Sequence, residues 1–199
     1  MEERVSFPSG EYRLEGYYHP GSEKGAVITH PHPLYGGDMN NIVVETLVLA
    51  YQRKGYATLR FNFRGTGKIE GRHADGMGER EDVLAAVRLL AEKGVRQIDL
   101  AGYSFGAWVN AHIDCQSAGI RRMVMVSPPV NFLDFAAVGP IPCLRLVVLG
   151  DDDEFGNESR VRKMMTHWNP DARYAVLPDT DHFYSGALRD LEAALAENL

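Results

Sequence analysis

Apolar and polar positions change rhythm repeatedly along the chain, and the changes mark out its elements. "RVSFPSGEYRLEGYYHPG" alternates and turns at Ser9-Gly10, which predicts an antiparallel hairpin. "GAVITH" is a short apolar run that stops at His30-Pro31. Asn40 or Asn41 then caps a helix to about Lys54, with Val43, Leu47 and Ala50 or Tyr51 inward and Gly55 as the stop. "YATLRFNF" is a strand. "EDVLAAVRLLAEKG" is a helix with Val83, Val87 and Leu90 on one stripe and Gly94 just past its end. "QIDLAG" is a strand with a helix opening at Phe105. "RMVMVS" and "CLRLVVLG" are further strands, "ESRVRKMMTHW" a helix, "RYAVLP" a strand, and Phe183 to Glu197 a closing helix.

Strands alternate with helices almost throughout. That pattern argues an α/β fold: a mostly parallel sheet covered on both faces, with the hairpin adding antiparallel strands. No repeat, low-complexity tract or shift of composition marks a boundary, so residues 1–199 are read as one domain.

Charge narrows the partners. Lys and Arg number 21 against 27 Asp and Glu, a net charge of −6. An acidic surface disfavours nucleic acid and anionic membrane, and the short basic groups, Arg121-Arg122 and Arg160 to Lys163, read as a solvated helix face or loop. The start lacks a signal pattern, and no apolar run nears the ~18 residues that span a bilayer, so a cytoplasmic location is the default expectation. Cys115 and Cys143, far apart in sequence, are read as separate small buried hydrophobes. A monomer or homodimer acting on a small molecule is expected, without cofactor or metal.

The chemistry gathers where strands end. Gly102-Tyr103-Ser104-Phe105-Gly106 fits G-x-S-x-G between a strand and a helix. The sharp turn needs small residues at both flanking positions, and the helix start aims the Phe105 N–H at a developing oxyanion. A serine nucleophile needs a base. Of seven histidines, His182 follows a strand and the polar loop "DTD", after Ser104 in chain order. His19, His73, His112 and His167 are read as structural or surface groups. The base in turn needs a carboxylate. "VVLGDDDEF" supplies four acids after a strand; Asp153 is placed first, Asp151 second and Asp152 third, with Asp179 and Asp181 capping the loop or last helix.

These residues resemble the α/β-hydrolase superfamily, and more closely its small, lid-poor branch of dienelactone-hydrolase-like bacterial hydrolases. "HPHPLYGGDMNN", "RFNFRGTGKIEG", "GYSFGA", "GDDDEF" and "TDHFYSG" carry the resemblance from Gly25 to Gly186. It implies Ser104 as nucleophile, His182 as base and Asp153, three residues past the strand-ending Gly150, as acid. It makes "HPHPLYGG" the loop that supplies a second oxyanion donor. Pro31 and Pro33 have no N–H, so Leu34 is the first choice and Tyr35 the next. His30 and His32 are expected to shape this loop by hydrogen bonding rather than bind a metal. Tyr35, Arg64 and Tyr103 are the expected substrate contacts, with holding the loop as the alternative for Arg64. The segment "SPPVNFLDFAAVGPIP", about 16 residues, is too short for a lid domain, and Phe132, Leu133 and Phe135 are candidates for an apolar rim or for core. The expected activity is hydrolysis of small carboxylic esters. Thioester or peptide hydrolysis on the same residues, or a non-catalytic binding role, are the rivals.

Overall fold

The computed structural model describes residues 1–199. Eight strands form one sheet: β1 (Glu3–Ser9), β2 (Tyr12–His19), β3 (Lys24–Thr29), β4 (Ala57–Phe61), β5 (Gln97–Tyr103), β6 (Ile120–Val126), β7 (Leu144–Gly150) and β8 (Arg173–Leu177). Their spatial order is β1-β2-β4-β3-β5-β6-β7-β8. β1 and β2 are an antiparallel hairpin, β2 lies antiparallel to β4, and every other pairing is parallel.

Five helices cover the sheet: α1 (Ile42–Arg53), α2 (Met77–Glu92), α3 (Phe105–Ala111), α4 (Glu158–Trp168) and α5 (Leu188–Asn198). Neighbouring strand residues point to opposite faces, and the core divides accordingly. Val27, Leu100, Met123 and Val147 pack with α2, α3 and α4, while Ile28, Ala101, Val124 and Val148 pack with α1 and α5. Burial on both faces explains why the central strands read as nearly unbroken apolar runs. Asn41 caps α1 through the Val43 N–H (2.9 Å), and Val43, Leu47, Ala50 and Tyr51 are all buried beneath it.

Four expectations are corrected. α2 begins at Met77, about one turn before the apolar stripe shows it, because Glu79 reaches back to accept from the Ala74 and Gly76 N–H groups at 2.9 and 2.8 Å. The last helix starts at Leu188 rather than Phe183. Residues before it are held in turns, with Tyr184 (φ 58°) and Gly186 (φ 81°) left-handed and Asp181 Oδ1 accepting from the Phe183 and Ser185 N–H groups. Cys115 and Cys143 are buried as expected, but they are joined to each other by a disulfide across 28 positions of sequence. Arg121 is neither loop nor helix: it lies on β6 and its guanidinium bridges buried Asp99 and the Tyr56 hydroxyl. No helix is long and apolar enough to cross a membrane.

Candidate active site

Ser104 occupies the single residue between β5 and α3, with φ 53° and ψ −117°. A non-glycine residue is strained there and persists only when its surroundings fix it. They do. The Ser104 N–H donates to the Val126 carbonyl (2.9 Å), and its own carbonyl accepts from Trp108 N–H (3.1 Å) to open α3. A Cβ at Gly102 would come 2.5 Å from Asn110 Nδ2 and 2.6 Å from Thr29 Oγ1; one at Gly106 would also meet Thr29 Oγ1 at 2.6 Å. The two glycines therefore let α3 close onto β3, which lifts the Ser104 side chain above the carboxyl end of the sheet.

His182 arrives from the loop after β8. Its main-chain carbonyl accepts from the Tyr103 hydroxyl at 2.9 Å, so the residue next to Ser104 in sequence anchors the imidazole. Asp153 arrives from the loop after β7. Gly150, at the end of β7, lies directly against the Thr180 main chain, with no room for a side chain, so the loops after β7 and β8 meet.

The three side chains form one line. Ser104 Oγ is 2.9 Å from His182 Nε2, and His182 Nδ1 is 2.8 and 2.9 Å from the two Asp153 oxygens. Asp153 Oδ1 also accepts from Phe155 N–H (2.9 Å) and Gly156 N–H (2.8 Å), which fixes the carboxylate. Asp151 instead accepts from Thr180 N–H at 3.2 Å, and Asp152 is exposed. Asp181 caps its own loop; its hydrogen bonds from Ser185 hold its carboxyl below the ordinary value. All three aligned residues are buried, but Ser104 and His182 open onto a cavity of about 420 Å³.

One wall of that cavity is the loop after β3, and His30 is its pivot. The fully buried ring donates from Nδ1 to the Pro31 carbonyl (2.7 Å) and accepts at Nε2 from the Phe63 N–H (3.0 Å). Burial pushes its pKa down to about 4, so it is neutral and both nitrogens are committed. The hydrogen-bonding role expected of His30 and His32 is what their rings perform. Asn62 and Arg60 hold the far end of the loop through the Met39 N–H and carbonyl.

The oxyanion candidates in this loop need correction. Leu34 N–H donates to His32 Nδ1 (3.3 Å), and Tyr35 N–H donates to the His32 carbonyl (3.1 Å). Both are spent inside a short turn, Pro33–Tyr35, and Leu34 does not line the cavity. Phe105, the first residue of α3, keeps a forward-pointing N–H as expected. The His32 N–H, at the cavity wall, makes no hydrogen bond within the protein.

Arg64 holds its loop and is not a substrate contact. It follows β4 on this rim, but its guanidinium is buried against Asp82 (Nη2–Oδ1 2.8 Å) and Glu81 (3.0 Å) and takes no part in the cavity. Burial works against its charge, and these carboxylates more than offset it, leaving its pKa raised. Tyr35 and Tyr103 do line the cavity. Phe132 and Leu133 reach it too, whereas Phe135 packs into the core against Trp168, ring centroids 5.2 Å apart.

Sequence reasoning passed over three rings. His73, read as an ordinary loop residue, stacks on His32 (4.9 Å) and Phe105 (5.4 Å) and lies 3.1 Å from the buried Glu79 carboxylate. Phe155 and Phe183 flank the imidazole of His182 at 4.8 and 5.6 Å. Their signal was adjacency: Phe155 is two residues past Asp153, and Phe183 directly follows His182.

Comparison with known proteins identifies the family. The profile of the alpha/beta hydrolase family matches residues 38–195, and the chain belongs to that family. An alpha-beta serine hydrolase homologue from Coxiella burnetii superimposes with a TM-score of 0.91 at 34% identity, over 99% of this chain and 97% of that one. XC6422 of Xanthomonas campestris, an a/b serine hydrolase without a lid, gives 0.90 at 27% identity over 99% and 93%. The uncharacterized protein RP471 of Rickettsia prowazekii is 30% identical over 98% of this chain and 88% of its own length. Family and neighbours together mark the protein as a hydrolase.

Proposed function

We propose that the protein is a serine hydrolase that cleaves small carboxylic esters through an acyl-enzyme. The observation that carries this reading is the unbroken hydrogen-bonded line from Ser104 Oγ through His182 to Asp153, ending in an open cavity. Asp153 accepts from the Nδ1–H of His182, which leaves Nε2 free to accept the Ser104 proton. Ser104 Oγ attacks the ester carbonyl as that proton moves. The negative charge that develops on the carbonyl oxygen meets the N–H of Phe105 at the start of α3 and the uncommitted N–H of His32. His182 then gives its proton to the departing alkoxide. Water attacks the acyl-enzyme by the same route and frees Ser104.

Each donor is preorganised by a different part of the fold: Phe105 by the elbow, His32 by the ring of His30 that fixes Pro31. The test is labelling with a fluorophosphonate together with turnover of p-nitrophenyl acetate. Wild-type protein is expected to label at Ser104 and to turn over. Ser104→Ala is expected to lose labelling and at least ~10⁴-fold of kcat while melting at the same temperature. Wild-type turnover by that variant refutes the reading, and a wild-type protein that neither labels nor hydrolyses leaves only a binding role.

A further inference from the structure

We infer that the leaving group of the ester is an uncharged aromatic alcohol, seated against the aromatic wall that Phe155 and Phe183 form. This rests on the ester-hydrolase reading above. His182 Nε2 must hand its proton to the leaving oxygen, so the leaving group lies on the His182 side of Ser104. That side is walled by rings: Phe155 and Phe183 flank the imidazole at 4.8 and 5.6 Å and stand 6.3 Å from each other, nearly perpendicular at 80°. Phe132 continues the wall 5.8 Å from Phe155, and Tyr35 follows 5.7 Å from Phe132.

These rings are held in water at a cost. Phe183 is 60% exposed, Phe132 48% and Tyr35 74%, and they are the only strongly exposed aromatic side chains of the protein. All three line this one cavity. An aromatic guest covers them and adds edge-to-face contacts that an aliphatic one of equal size lacks. Charge sharpens the class. Apart from histidine, no ionisable acid or base other than tyrosine lines the cavity, and Arg64 on the rim is locked onto Asp82. A carboxylate on the leaving group would lose water and gain no partner.

In the step proposed, the bond between acyl carbon and leaving oxygen breaks as the acyl carbon stays bonded to Ser104 Oγ. The Nε2 proton of His182 goes to the departing alkoxide, which leaves as the neutral aromatic alcohol. Benzyl acetate and cyclohexylmethyl acetate test this directly, because their alcohols match in size and closely in basicity. kcat/KM for the benzyl ester is expected to be about two- to tenfold higher. Phe183→Leu keeps the apolar surface and is expected to bring the ratio toward one, while Phe183→Tyr preserves it. A 4-carboxybenzyl ester is expected to fall at least about tenfold below benzyl acetate. Equal rates for the two acetates, a ratio unmoved by Phe183→Leu, or turnover of neither ester by protein that still labels with fluorophosphonate overturns the inference alone. Loss of labelling in the wild type overturns the hydrolase reading beneath it.

Discussion

Two buried networks at the carboxyl end of the sheet use almost the same parts. In one, Ser9 Oγ donates to Asp82 at 2.6 Å, and Asp82 also accepts from the Arg64 main-chain N–H (2.9 Å), Nε (3.1 Å) and Nη2 (2.8 Å). In the other, Ser104 meets His182 and His182 meets Asp153 at comparable distances. Each has a serine, an aspartate and a cationic or basic nitrogen group. The first is closed: the guanidinium stays protonated, the serine donates straight to the carboxylate, and neither side chain faces the cavity. It pins the loop after β4 to α2 and the hairpin. The second places a titratable ring between hydroxyl and carboxylate and leaves the hydroxyl facing a guest. In the reading proposed above, a proton that can move and an open side separate the two networks more than residue type does.

The largest effect expected from breaking this comparison comes from Asp153→Asn. The amide oxygen can keep the bonds from Phe155 and Gly156, so the loop holds its shape. Its NH₂ then faces His182 Nδ1 and forces the tautomer protonated at Nε2, which cannot take the Ser104 proton. A drop in kcat of ~10⁴-fold is expected, about 5 kcal/mol of lost transition-state stabilisation, with little change in melting temperature. Steady-state hydrolysis of p-nitrophenyl acetate measures the first and thermal melting the second. The same exchange in the closed network, Asp82→Asn, should do the reverse. It leaves the buried Arg64 charge with only the exposed Glu81 carboxylate as a partner, which costs about 3 kcal/mol of stability in urea unfolding, while kcat of the folded fraction stays near wild type. Large kcat loss at full stability in Asp82→Asn would erase the distinction.

The sequence carried one network and not the other, for a physical reason. Ser104 sits in a motif whose glycines are demanded by a local turn, and His182 and Asp153 follow strand ends, so all three announce themselves within a few residues. The choice of Asp153 over Asp151 drew on the family resemblance, which implies an acid three residues past Gly150. Arg64 sits on the same rim, but its partner Asp82 is on a helix 18 residues away and shows no local sign. The same limit hid the Cys115–Cys143 bond and the way His32 consumes the Leu34 N–H. Element order was plain because periodicity is local. The start of α5 was not, because Asp181 holds the preceding residues in turns that interrupt a helical pattern.

His30 sharpens the comparison further, because it is an imidazole treated like Arg64. It lies at the end of β3, fully buried, with Nδ1 donating to Pro31 and Nε2 accepting from Phe63. Protonation would put a hydrogen on Nε2, now an acceptor, against the Phe63 N–H, in a site closed to solvent. Burial lowers its pKa to about 4, from about 6.5 in an unfolded chain. The unfolded state therefore binds the proton first as pH falls. The stabilising contribution is complete above about pH 6.5 and is lost progressively down to about pH 4, about 3 kcal/mol in all. Urea midpoints at pH 7 and pH 4.5 should show wild type losing more stability than His30→Gln, which has no proton to gain, even though His30→Gln is less stable at pH 7. Equal losses would mean that the ring is already solvated, and the wall that carries the His32 N–H would then lack the rigid pivot assigned to it.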